Sequence, residues 1–413
     1  MYISKIKDSL KNIDGILNIF LFTFIISMFN REFIPFGIDL RYIQIILAFI
    51  LIVKALFTLE NNKLKFKKIS KLQNKYLFIV IFYIYIILVN LKWFTNGLEL
   101  NRSDFINMIV LSMTNFMAIG TFYIYRDKIK IMTIVRYIII STILLLISMI
   151  LVWGGVELSK IMGGDYLGYY PGAGNFNFLG QQIRVAGYAQ DPNYASVFMV
   201  IGGITTFFFV ENKRDKYIII SLTIFGYILS ASKTIALGLI FAIFFIGILY
   251  LIKNKSEKFY KILLNGFVLG LAVGPYIIVK LMNMLKYSFS VDTMSTRLVM
   301  WNNAVNLFEK NPIFGGGITS VRSLFEMQPN GWYVHAHSTI FQIQSEMGII
   351  GLIIFVAIFI MILRDSSYYI KFITIVFLIF SLTSELLHLS LFAFIIGLAP
   401  IVMNNYSVGK KEV

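Results

Sequence analysis

The chain has 413 residues, of which 58% are hydrophobic and only 14% charged, and its mean hydropathy is +0.78. A water-soluble domain carries about 25% charge, so this composition excludes an ordinary soluble enzyme and points to lipid. Cysteine is absent, which excludes disulfides and thiolate metal sites, and three histidines (His335, His337, His388) supply metal ligands poorly.

Apolar runs of roughly 16 to 25 residues recur along the chain, the length a helix needs to cross ~30 Å of hydrocarbon. Helices are expected near 15–29, 42–59, 76–91, 105–125, 131–152, 193–210, 217–230, 234–252, 262–281, 339–363, 368–384 and 386–403. The expected fold class is therefore all-α: one polytopic integral membrane domain over 1–413, with about twelve transmembrane helices. The first run, Gly15 to Phe29, follows a basic N-terminus as a signal peptide would. Asn30-Arg31-Glu32-Phe33 offers no small-residue cleavage site after it, so a retained helix is expected.

The net charge of +16 is read as topology rather than nucleic-acid binding. Most basic residues fall on alternate short connections: the N-terminus, 60–75, 126–130, 211–216, 253–261, Arg364, Lys371 and the C-terminal Lys410-Lys411. By the positive-inside rule these face the cytoplasm, with both termini inside a bacterial plasma (inner) membrane, and they attract anionic lipid head groups. Lys54 and Arg136 lie near cytoplasmic helix ends, where snorkelling accounts for them.

Two connections, 153–192 and 282–338, are much longer and fall on the outer side. No cytoplasmic segment carries a phosphate-cradling glycine loop or a metal–nucleotide pattern, so chemistry is expected outside. The first long loop is rich in glycine and tyrosine (Gly163 to Gly174), either stacking faces for sugar rings or an interfacial aromatic belt. It ends in Arg184 and then Asp191-Pro192, a helix N-cap followed by proline at the first helical position. Arg184 has no comparable structural assignment.

The second long loop holds an amphipathic helix. Ser295 is expected to cap it, Trp301, Ala304, Val305 and Phe308 form its apolar stripe, and Asn311-Pro312 ends it. Arg297 lies one turn before Trp301, either paired with Asp292 or free for function. Gly315-Gly316-Gly317 reads as a flexible turn. His335-Ala336-His337-Ser338 then opens the next span, on which Gln342 and Glu346 share a face at i, i+4, as expected for a helix lining a polar cavity. Lys233 sits in Ser230-Ala231-Ser232-Lys233, a tight outer turn.

In these stretches the sequence resembles the O-antigen ligase and polymerase family of bacterial membrane glycosyltransferases. The likeness covers about residues 180–360: Arg184-Val185-Ala186-Gly187 with Asp191-Pro192-Asn193; Ser230 to Lys233; Arg297, Trp301 and Asn311-Pro312-Ile313-Phe314-Gly315; and His337-Ser338 with Gln342 and Glu346-Met347-Gly348-Ile349-Ile350-Gly351. Lys233 departs from the arginine, and Ser338 from the asparagine, that the family pattern leads one to expect. Lysine keeps the charge but loses the bidentate fork.

The resemblance implies an enzyme that moves a glycan from a polyprenyl diphosphate to an acceptor hydroxyl, without cofactor or metal and with inversion. The diphosphate leaving group needs cationic hydrogen-bond donors, a part given to Arg297 and Lys233 with Arg184 as a further contact. His337 is the expected general base, with His335 as rival, because imidazole titrates near working pH. Glu346 orients it or binds sugar, and Gln342 binds substrate beside it. Polymerisation of lipid-linked repeat units is the favoured reading, with ligation to a final acceptor as the alternative and a transporter or flippase as the rival of another class. Partners implied are the donor, the acceptor, membrane lipids, a flippase and a chain-length regulator, and no nucleic acid.

Overall fold

The computed structural model describes residues 13–28, 39–60, 74–95, 102–158, 169–171, 177–178, 181–189, 191–253, 256–284, 292–317, 320–321, 336–384, 386 and 390–409. Five helices come first: α1 (Ile13–Ser27), α2 (Leu40–Glu60), α3 (Asn74–Thr95), α4 (Arg102–Ile124) and α5 (Ile131–Trp153). Three short strands follow, β1 (Tyr169–Pro171), β2 (Asn177–Phe178) and β3 (Gln181–Val185), then a 3₁₀ turn at Gly187–Ala189. Next are α6 (Pro192–Phe209), α7 (Lys213–Ser230), α8 (Lys233–Lys253) and α9 (Glu257–Met284). The amphipathic α10 (Asp292–Lys310) precedes α11 (Thr339–Asp365), α12 (Tyr368–Phe380) and α13 (Leu391–Gly409).

Every apolar run expected to be helical is helical, with the last two boundaries moved: α12 stops at Phe380 and α13 begins at Leu391. Among the described residues four helices are long and apolar enough to cross a membrane, within α5, α6, α9 and α11. Large apolar side chains on α7, α8 and α9, such as Ile224, Phe244, Leu251 and Ile278, stand exposed. Contiguous apolar surface on this scale suits lipid and not water. α12 is buried on all sides except at Tyr368 and Phe372, and it packs against α6, α8, α11 and α13. A helix that is apolar all round belongs at the centre of a bundle.

Hydrogen bonds sort the connections into two ends. Arg184 reaches Ser230, and Thr339 reaches Ser381 and Ser384, so β3, the α7–α8 turn, the start of α11 and the end of α12 share one end. Lys371 donates to the Tyr260 hydroxyl at 2.7 Å, and Thr205 bonds Tyr369 at 2.8 Å, which marks the opposite end. The alternation matches the order of long and basic connections in the sequence.

Three features differ from the sequence expectation. The glycine-tyrosine loop holds an antiparallel sheet of order β1-β3-β2, with Tyr170 opposite Arg184 and Asn177 opposite Gln182. Alternation over two to five residues is too short to read against a glycine-rich background. α10 begins at Asp292, so Ser295 lies inside the helix rather than capping it. The third is the glycine triplet.

α11 is broken at Gly348, which adopts φ +65° and ψ −164°. The segment after α10 fills the break: Gly316 N donates to Ser345 O (2.7 Å), Gly317 N to Glu346 O (2.9 Å) and Ile349 N to Pro312 O (2.8 Å). A longer bond joins Ile350 N to Ile313 O at 3.4 Å. Backbone groups freed inside a membrane protein need protein partners, because no water is there to take them. Gly315 (φ +73°) passes so close that a Cβ would stand 2.3 Å from the Glu346 carbonyl carbon. The triplet is thus a splice between two elements, not a flexible turn.

Candidate active site at the Arg184 end

The first group of residues gathers around Asn193. Asp191 caps α6, accepting from Asn193 N at 2.6 Å, with Pro192 in the first helical position as expected. This capping turns the Asn193 side chain towards β3 and the α7–α8 turn, where its Oδ1 accepts from Arg184 Nη2 (3.1 Å) and Ser232 Oγ (2.7 Å). Arg184 Nε also donates to Ser230 O at 3.2 Å. The turn itself is held by Ala231 in the left-handed region (φ +48°), by Tyr227 OH bonded to Ser232 O, and by a Ser196–Ser230 hydroxyl contact of 2.5 Å. Arg184 therefore does have structural work, tying the small sheet to the turn that leads straight into Lys233. The side chain of Lys233 lies outside the described residues, as do those of Arg297 and His335.

The second group is on α10 and α11. Ala304, Val305 and Leu307 are buried against Val279 and Phe341, and Trp301 stacks on Phe341 with ring centroids 5.4 Å apart. Phe308 meets Tyr276 edge-on at 5.9 Å, so the expected stripe packs as a face. The Trp301 indole N–H is buried without a hydrogen-bond partner among the described residues. Arg297 sits on α10 one turn before it. Lys280 and Tyr276 of α9 both reach Glu309 Oε1, at 2.5 and 3.0 Å, and fix the exposed side of α10. The ammonium and hydroxyl hold the Glu309 carboxyl below its ordinary range.

His337 is exposed, with left-handed backbone (φ +47°), immediately before Ser338, the N-cap of α11. Thr339 anchors this corner: its N–H reaches Ser381 O, its hydroxyl donates to Ser384 O (2.9 Å), and Leu386 N donates to it (2.7 Å). Deeper along the helix Gln342, Gln344 and Glu346 are all buried. Gln342 Nε2 donates to Glu346 Oε2 at 3.1 Å, the i, i+4 pairing that the spacing predicts. Gln344 Nε2 donates to Ala272 O (2.7 Å), a carbonyl three residues before Pro275 in α9. Glu346 lies nine residues beyond His337, roughly 13 Å along a helix.

Sequence reasoning passed over Asn193 as a junction, although Pro192-Asn193 was within a quoted motif, and over Arg41. The latter is buried at the start of α2 and forked onto Asp39, with Nη2–Oδ2 at 2.6 Å, so its charge is already matched. Among the described residues no group of three His, Cys, Asp or Glu could hold a metal ion.

Residues 195–356 match the sequence profile of the family described as O-antigen ligase. That range takes in the α7–α8 turn, α10 and both sides of the splice. The chain is also 24% identical over 172 residues to a Rickettsia conorii protein named "Putative polysaccharide ligase", across 38% of this chain and 41% of that protein. The chain thus aligns with less than half of that relative's length. Together the two likenesses support an O-antigen ligase/polymerase-like family for this membrane protein.

Proposed function

We propose that the chain is a membrane glycosyltransferase of O-antigen ligase type, which moves a glycan from a polyprenyl-diphosphate carrier to an acceptor hydroxyl at the outer face of the plasma membrane. The observation that carries this reading is the splice: it joins the helix of Arg297 to the helix of Gln342 and Glu346, which His337 directly precedes, within the family-matched range. Arg297 and Lys233 neutralise the charge that develops on the departing diphosphate, and Arg184 adds to this cationic end. His337 removes the acceptor proton as the hydroxyl attacks the anomeric carbon, the carbon–oxygen bond to diphosphate breaks, and the configuration inverts. Gln342 and Glu346 hold sugar hydroxyls deeper in the site. No metal and no cofactor takes part.

Both comparisons carry the word ligase, so transfer to a separate acceptor is tested beside the polymerisation favoured from sequence. The test is purified protein in nanodiscs with lipid-diphosphate-linked repeat units, without nucleotide or added metal. Transfer only when an acceptor is supplied supports ligation, and a ladder from donor alone supports polymerisation. His337→Ala and Arg297→Ala should abolish either product while the protein still purifies as a folded species. Transfer retained in either variant would sink that residue's role, and an intact donor under every acceptor would move the reading to transport.

A further inference from the structure

The break at Gly348 puts the Met347 carbonyl at the junction of two half-helices. Its partner comes from far away in sequence: the Tyr85 hydroxyl, midway along α3, donates to Met347 O at 2.7 Å. Tyr85 is half-buried, and its ring lies along α11 one turn past the break. A Cβ at Gly351 would stand 3.4 Å from Tyr85 Cε1 and 2.4 Å from the Met347 Cβ. A glycine at 351 therefore leaves the ring and the break their present spacing, which gives the Gly348-Ile349-Ile350-Gly351 pattern a physical reason. α3 lies outside the range that matches the family profile.

The two peptide links after Glu346 are each held at the carbonyl. Gly317 N bonds the Glu346 carbonyl at 2.9 Å and Tyr85 bonds the next carbonyl. Glu346 is 2% exposed, and its carboxylate is directed by this backbone and by contacts that include Gln342 Nε2. We propose that Tyr85 is a positioning residue for Glu346, acting through the Met347 carbonyl; this rests on the glycosyl-transfer reading above. Without the hydroxyl the carbonyl loses this donor, and a compensating rotation of the 346–348 backbone carries the carboxylate with it.

The test is a double-mutant cycle in nanodiscs on the lipid-linked donor, with Tyr85→Phe, which keeps the ring, and Glu346→Asp, which keeps the charge but retracts it. Tyr85→Phe should lower kcat about tenfold with KM little changed, since a misplacement of ~1 Å is worth up to about 100-fold. In the Glu346→Asp background the same change should cost less than about twofold, because the carboxylate is already out of place. A Tyr85→Phe enzyme at the wild-type rate would overturn the proposal. So would an equal fold loss in both backgrounds, the signature of general structural damage. A wild-type preparation that transfers nothing would refute the glycosyl-transfer reading itself, whereas an active wild type matched by Tyr85→Phe would refute only the role of Tyr85.

Discussion

Replacing Gly348 by alanine strikes the splice where two constraints coincide. The backbone at φ +65° and ψ −164° is a region open almost only to glycine, and forcing an L-residue there costs about 1–3 kcal/mol. A Cβ would also lie 2.4 Å from Ile313 O and 2.6 Å from Gly315 N, so the 312–317 segment must retreat. That retreat takes with it the bonds of Ile349 and Ile350 to Pro312 and Ile313, at about 0.5–1.5 kcal/mol each. The sum, roughly 2–6 kcal/mol, is a large share of the ~5–15 kcal/mol that holds a typical native state together. Gly266→Ala in α9 is the matched control, since a Cβ there meets nothing within 4 Å. Thermal unfolding in detergent, followed by the remaining monodisperse protein, should place Gly348→Ala about 2–7 °C below that control. If the two variants melt within about 2 °C of each other, the splice is not what stabilises α11.

Other consequences can be measured in the same preparation. Arg184→Lys cannot bridge Ser230 O and Asn193 Oδ1 with one planar fork, and should lose about 1–3 kcal/mol of stability; an unchanged melting temperature would show that the bridge carries nothing. Asp191→Ala removes the N-cap of α6 and should cost about 1 kcal/mol, while Asp191→Asn should recover most of it. Glu309 has a pKa below its ordinary 4.5 because Lys280 and Tyr276 bond its ionised form. Its contribution is therefore present above the unfolded value and lost as pH falls through the lower folded value. The melting temperature between pH 6 and 3 should then fall more steeply in the native protein than in Glu309→Gln. The difference will be small, because both partners of the ion pair are more than a third exposed, and equal slopes would remove Glu309 from the account.

The helices were legible because crossing hydrocarbon demands long apolar runs, and no tertiary context is needed to see them. The Asp191-Pro192 cap and the Gln342–Glu346 pair were legible for a related reason: both are local, set by spacings of two and four residues. What escaped depends on contacts between distant segments. Gly315-Gly316-Gly317 looks like a hinge until Glu346 and Met347 are laid against it, and Gly348 looks like an ordinary glycine in an apolar helix. Arg184 looked free because its acceptors, Ser230 O and Asn193 Oδ1, lie 46 and 9 residues away. The sheet at 169–185 was hidden by strands of two to five residues. Tyr85 could not have been linked to residue 347 by any pattern within α3.

The splice also sets the smallest piece of this protein that can be exchanged. A chimaera that swaps the connection between α9 and α11 at the ends of those helices would part Pro312 and Ile313 from Ile349 and Ile350, leaving four backbone partners mismatched across the joint. The segment that travels together runs from 292 through 351, and it leaves behind the phenol of α3 as an anchor on the first half of the bundle. Recombination between relatives, in the laboratory or in genomes, should therefore find its tolerated crossover points after Gly351 and not at the mouth of α11.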